Sequence, residues 1–335
     1  RDPFVYFDED RQQFCMLIAG RLKNDMPINN RGCTLVAYSK DMRHWELSKE
    51  PFYAPNAYFT HECPDLFKMG DWWYLVFSEF TDKILTTYRM SKSINGPWIT
   101  PKINSFDGHC FYAAKSVSDG KRRIMFGWNC IKDKEKDLNF WQWGGNIIAH
   151  EIVQNEDGTL YVKCPTEVKN NYHKDFPLSV GKSFGKVIQD CDKMILGQNG
   201  EKSVQIFNAM PQNCKIEFDF VTTDDIGDFG LLLRETSNMD NYYEVRFEPM
   251  YNRLAFDRWP RRDGTEHTLV DCERFCPIEV GTTNSVIVLA QGSVLEVYVN
   301  NKVAMSTRMF DFTEGNFGFC VNNTQVIFSN IKISE

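Results

Sequence analysis

Two short acidic motifs are the first chemical signal in this chain. Arg1-Asp2-Pro3 opens it, and His61-Glu62-Cys63-Pro64-Asp65-Leu66-Phe67 follows. In both, a carboxylate stands just ahead of a proline and an apolar run. Proline has a fixed φ, so it holds the carboxylate at a rigid corner. A carboxylate heading a buried strand is costly to keep unless it is used. Two such groups converging among aromatic rings suit glycoside hydrolysis. One carboxyl acts as acid and then base, while others support an oxocarbenium-like centre. Rings such as Tyr112 and Trp128 would desolvate the acid group, raise its pKa and stack on sugar faces. An isolated Asp-Pro is usually only a strand-start device. The functional reading therefore rests on the two motifs together and on the repeat that contains them.

The elements that must position these groups read as strands. Apolar stretches are short, β-branched or aromatic, and bounded by Gly, Asn and Asp, with no sustained helical period. Residues 1–165 contain an internal repeat. Asp2-Pro3-Phe4-Val5, Cys63-Pro64-Asp65-Leu66 and Tyr112-Ala113-Ala114-Lys115 are each followed by a polar turn and a second strand. A further element recurs as Ser39-Lys40-Asp41-Met42-Arg43-His44-Trp45 and Ser91-Lys92-Ser93-Ile94-Asn95-Gly96-Pro97-Trp98, its serines 52 residues apart. Repeats of about 50 residues with about four strands each indicate a β-propeller. The innermost strands would begin near Asp2, Glu62 and Tyr112 and bring their polar groups into one funnel. From about residue 185 the repeat ends. Val204 to Phe207, Lys215 to Phe220 and Tyr243 to Phe247 alternate in the manner of an antiparallel sandwich. The expected organisation is a partial propeller over 1–168, a linker over 169–186 and a sandwich over 187–335.

Composition excludes several classes. The chain has 335 residues, enough for two domains at roughly 100–200 residues each. Charged residues are 25% and the net charge is −7. The basic stretches Lys121 to Arg123 and Arg258 to Arg262 are short and read as solvated turns, so nucleic acid is not an expected partner. No apolar run approaches the length of a membrane helix. Eleven Cys lack zinc spacing and read as free, mostly buried thiols, which favours a reducing or anaerobic setting. His44, His173 and His267 fall in polar turns, and Cys63 has no oriented His partner. Tyr242, Tyr243 and Trp259 read as sandwich core or interface, with a sugar subsite there the less favoured reading.

The sequence resembles glycoside hydrolase family 32, the invertase, inulinase and levanase family. Arg1-Asp2-Pro3 is similar to its RDP motif and Glu62-Cys63-Pro64-Asp65 to its ECPD motif. Phe111-Tyr112-Ala113, Arg123 to Trp128, Trp143 to Ile152 and Leu295 to Asn300 resemble further family stretches. The resemblance implies a five-bladed propeller followed by a sandwich, about three blades being present here. It implies retaining, double-displacement cleavage of β-fructofuranosides. Glu62 would be the general acid/base and Asp2 the transition-state stabiliser. Arg1, His61, Asp107, Tyr112 and Trp128 would contact substrate, and Asp65 would orient its strand. A fructoside or fructan is the implied partner, with no metal or cofactor.

The chain departs from the family pattern in three places. No W-M-N-D-P-N-G nucleophile motif occurs; Asn24-Asp25-Met26-Pro27 is only a superficial echo. The chain is therefore expected to be the C-terminal portion of a longer enzyme and inactive alone. On the order of 100–130 residues would lie upstream, in the same chain or another. Ser105 to Cys110 departs next to Phe111, where the leaving-group side is contacted. Ser91-Lys92-Ser93-Ile94-Asn95-Gly96-Pro97-Trp98 also looks like family 43, so an arabinofuranosidase of the related clan stays open. So does a non-catalytic carbohydrate-binding protein.

Overall fold

The computed structural model describes residues 1–236, 239–259 and 270–335, and of Trp259 only the backbone. The expectations for Arg261, Arg262, His267 and the Trp259 side chain fall outside the described residues. The chain forms two compact units. One comprises Arg1–Trp128 and Ile147–Tyr161, the other Asn129–Asn146 and Val162–Glu335.

The repeats are three antiparallel sheets of a partial propeller. The first is β1 (Phe4–Asp8), β2 (Gln13–Arg21), β3 (Gly32–Ser39) and β4 (Glu46–Leu47), in that order. The second is β5 (His61–Met69), β6 (Trp72–Phe80) and β7 (Ile84–Ser91). Isolated bridges at Ile99 and Ser105 extend it where a fourth strand would lie. The third is β8 (Phe111–Ser118), β9 (Arg123–Lys132), β10 (Trp141–Gln154) and β11 (Leu160–Lys163). Consecutive strands pair because short polar turns join them, as a meander requires. Between the first two sheets, Leu17, Val36, Leu66, Leu75 and Phe77 form one buried cluster. Packing one sheet on the next removes apolar surface that a lone sheet would expose.

β1, β5 and β8 are the first strands of their sheets. At the head of each, one non-glycine residue is left-handed: Asp2 (φ 58°), Cys63 (φ 49°) and Ala113 (φ 55°). Such a conformation costs roughly 1–2 kcal/mol at an L-residue. It recurs at the same step of each repeat, where it aims the preceding side chain. The residues so aimed are Arg1, Glu62 and Tyr112.

The second unit is built on two sheets of eight and seven strands. Their inner faces meet through Phe218, Phe220 and Phe328 from one sheet and Phe229, Phe247 and Phe319 from the other. Residues 169–186, expected as a linker, supply strands to both sheets. Asp175–Phe176 pairs with Val326–Ser334, and Ser179–Phe184 with Lys202–Asn208. Residues 129–146 follow the repeats in chain order but lie with this unit. The Arg308 guanidinium donates to the carbonyls of Asn129 and Cys130, and Lys132 meets Asp271 at 2.7 Å with both side chains buried. All eleven cysteines are free and nine are buried.

Candidate functional site

The site is built from the heads of β1, β5 and β8. Tyr112 is fully buried and its hydroxyl donates to Glu62 Oε2 at 2.7 Å. On the other oxygen, Arg1 Nη2 meets Glu62 Oε1 at 2.9 Å. The same guanidinium reaches Asp2 through Nε, 3.2 Å from Oδ2. That oxygen also accepts the Cys63 backbone N–H at 3.2 Å. One cation thus joins the carboxylates of both acidic motifs, and a backbone N–H of one motif holds the side chain of the other.

Burial sets the electrostatics. Glu62 is 8% exposed, whereas the Arg1 side chain is 65% exposed. Burial, then the bond to Glu62, push the Tyr112 phenol well above its ordinary range, so it stays a donor. The Glu62 charge holds Arg1 above its usual value despite partial desolvation. Burial pushes the Cys63 thiol up to about 11, which leaves it protonated and a poor nucleophile. Trp128, half-buried, stacks beside Tyr112 with ring centroids 6.1 Å apart and planes 25° from parallel.

A second layer positions these heads. Asp65 is 1% exposed, and its Oδ2 accepts both the backbone N–H of Ser116 at 2.8 Å and its hydroxyl at 2.6 Å. Lys115 Nζ donates to the Pro64 carbonyl at 2.5 Å. Ser78 Oγ accepts the Ala113 N–H at 3.0 Å. These bonds tie β5 and β6 to β8 immediately below Glu62 and Tyr112.

Two expected substrate contacts lie elsewhere. His61 is one residue from Glu62, so its side chain points to the opposite side of β5. It is 0% exposed, stacks on Phe77 at 4.2 Å, and contacts Thr34 Oγ1 through Nδ1 at 3.2 Å. Burial, with the Arg89 charge nearby, pushes its imidazole down to about 3. Asp107 is 1% exposed, its carboxylate taken by His150 Nε2 at 2.8 Å and the Gly108 N–H. The pairing satisfies a charge that would otherwise be stranded in the interior. Neither side chain reaches the surface. Sequence reading placed Tyr112 at the site but missed its bond to Glu62, and it missed the Cys63 N–H. The signal for both is the repeat itself: Arg1, Glu62 and Tyr112 precede equivalent steps. His44 and His173 are exposed, and His44 Nδ1 contacts Asp41 in a turn at 2.7 Å.

The arrangement can donate or accept a proton at a half-enclosed carboxyl and present a second carboxylate alongside it. Comparisons with known proteins agree on the family. Residues 1–164 match the glycosyl hydrolases family 32 N-terminal domain, and 189–335 match the family 32 C-terminal region. The chain is 26% identical over 200 residues to the raffinose invertase of Escherichia coli, covering 55% of this chain and 40% of that protein. It is 22% identical over 328 residues to the sucrose-6-phosphate hydrolase of the same organism, covering 92% of this chain and 61% of that one. It thus spans between two fifths and about three fifths of these relatives. Among solved structures, the GH32 β-fructofuranosidase BmSUC1 of Bombyx mori covers the whole chain with a TM-score of 0.66 at 16% identity, and 65% of that protein is matched.

Proposed function

The chain belongs to glycosyl hydrolase family 32, and from that premise we propose that it serves retaining hydrolysis of β-D-fructofuranosides such as sucrose, fructo-oligosaccharides, inulin or levan. The observation that supports this most is Glu62, held between Tyr112 and Arg1 with Asp2 on the same guanidinium. In this reading Glu62 gives its proton to the leaving oxygen in the first displacement. It takes a proton from water in the second. Tyr112 and Arg1 occupy separate Glu62 oxygens, so they orient the carboxyl in both half-reactions and stabilise it when charged. Asp2 accepts hydrogen bonds from fructosyl hydroxyls and faces the positive charge that develops at the anomeric carbon. Trp128 offers a ring face to the sugar. Double displacement also needs a nucleophilic carboxylate; that role is left to the family's Asp motif, which none of the described residues around Glu62 matches.

The test uses the protein as its gene encodes it, with a panel of sucrose, inulin, levan and arabinofuranosides. Glu62→Ala is expected to lower kcat on fructosides about 100- to 10,000-fold, the range of a general acid–base. Near-normal turnover by the variant, or cleavage of arabinofuranosides alone, would sink the reading.

A further inference from the structure

The seven-stranded sheet of the second unit has an outer face that the propeller site does not explain. Along the strand Tyr242–Glu248, Tyr242, Glu244, Arg246 and Glu248 alternate onto one side. The other side carries Tyr243, Val245 and Phe247, which are fully buried or nearly so. Cross-strand register brings further polar groups to the outer side. Lys202 and Asp228 both stand opposite Asn322, Arg246 stands opposite Gly230, and Glu244 opposite Asp257. Between them is a cavity of about 350 Å³ lined by Lys202, Asp228, Tyr242, Glu244, Asp257 and Asn322, with Arg246 and Glu248 also in its wall. That volume is at the small end of the roughly 300–1,000 Å³ of small-molecule sites.

The cavity is shaped by a fixed ion network on a closely packed strand pair. A Cβ on Gly230 would lie 2.6 Å from the Val245 carbonyl and 2.9 Å from Glu244 Oε1. A side chain there would press on the β-strand backbone and displace the Glu244 carboxylate. Arg246 Nε donates to Glu248 at 2.7 Å and Nη1 to Asp257 at 2.5 Å, with Glu244 at 3.8 Å. Cys320 Sγ meets the remaining Glu244 oxygen at 3.2 Å. These are preformed acceptors and donors on rigid strands, most of them buried. The lining mixes four carboxylates with two cations. An anion would face the carboxylates and a cation would face Arg246 and Lys202. An uncharged ligand with many hydroxyls meets acceptors and donors with no such conflict, and the Tyr242 ring adds an apolar surface beside them.

We infer that this pocket binds a neutral sugar of one or two units, as a second carbohydrate site on the sandwich. Its test uses the full chain carrying Asp2→Ala and Glu62→Ala, which disables the propeller site and any turnover. Saturation-transfer NMR and calorimetry are run with D-fructose, sucrose and 1-kestose, with calcium chloride and sodium phosphate as charged controls. At least one sugar is expected to bind saturably. Asp228→Asn and Glu244→Gln should each weaken it tenfold or more without changing the melting temperature. If Glu244→Gln lowers that temperature, Asp228→Asn and Asn322→Ala at the rim carry the comparison. No saturable sugar binding overturns the inference. So does binding untouched by the rim variants, or binding of calcium or phosphate in place of every sugar. Each of those failures would leave the Glu62 assignment intact, because turnover by the unsubstituted protein is measured separately.

Discussion

Tyr112 donates to Glu62 Oε2 at 2.7 Å while holding the same place in its repeat that Glu62 holds in the one before. Arg1 has the equivalent place in the first repeat and meets the other Glu62 oxygen. Three copies of one structural step thus supply a donor, a carboxyl and a cation that satisfy one another. The left-handed residue after each, Asp2, Cys63 and Ala113, is what the three share in backbone.

Tyr112→Phe removes one donor and little else. A hydrogen bond to a charged group is worth about 1.5–3 kcal/mol. The expected loss in kcat/KM on fructosides is therefore about 10- to 100-fold with the fold retained. Steady-state kinetics beside a melting curve checks this, and an unchanged kcat/KM would remove Tyr112 from the site.

Arg1 is mostly exposed, so Arg1→Ala should leave thermal stability almost unchanged. Activity should fall, because the guanidinium orients Glu62 and Asp2 together. Arg1→Lys keeps the charge but cannot reach both with a planar fork, and it should recover only part of the rate. Full recovery by Lys would mean that charge alone matters.

Asp65→Asn should act on stability. The buried carboxylate accepts two bonds from Ser116, and weakening them costs about 1–3 kcal/mol. The melting temperature should drop, while kcat of the folded fraction stays within a few-fold. A large fall in kcat with unchanged melting would instead place Asp65 in the chemistry.

His61 makes stability depend on pH. Its folded pKa is near 3, below the ordinary value, so between about pH 3 and 6.5 the unfolded state binds the proton and the folded state does not. The contribution is complete above about 6.5 and is lost as pH falls, by up to about 1.4 kcal/mol per pH unit. His61→Phe should flatten the acid side of a plot of melting temperature against pH. An unchanged slope in that variant would assign acid sensitivity to other groups.

Lys132 and Asp271 form a buried pair at 2.7 Å. Lys132→Met leaves the carboxylate with Arg258 alone among the described residues, 3.8 Å away, and should cost up to about 3–5 kcal/mol, read by denaturant unfolding. Replacing both partners with apolar residues should recover much of that loss.

The residue string by itself determined the family, the repeat, the change to a sandwich and the two acidic motifs. Each is local: a proline beside a carboxylate, a period of about 50 residues, an alternation of two. Tertiary structure decided what neighbours in sequence could not show. Glu62 and His61 are adjacent, yet a strand sends them to opposite sides, one to Arg1 and Tyr112 and one into the core against Phe77. Asp107 is expected to contact substrate, yet His150, 43 residues on, takes its carboxylate in the interior. Alternation alone puts Glu244, Arg246 and Glu248 on one side of their strand, and only strand register brings Asp228, Asp257 and Asn322 beside them around a cavity. The reason is common to all three. Side-chain direction follows from the strand, but the partner that satisfies a buried charge comes from another strand, and pairing alone determines which.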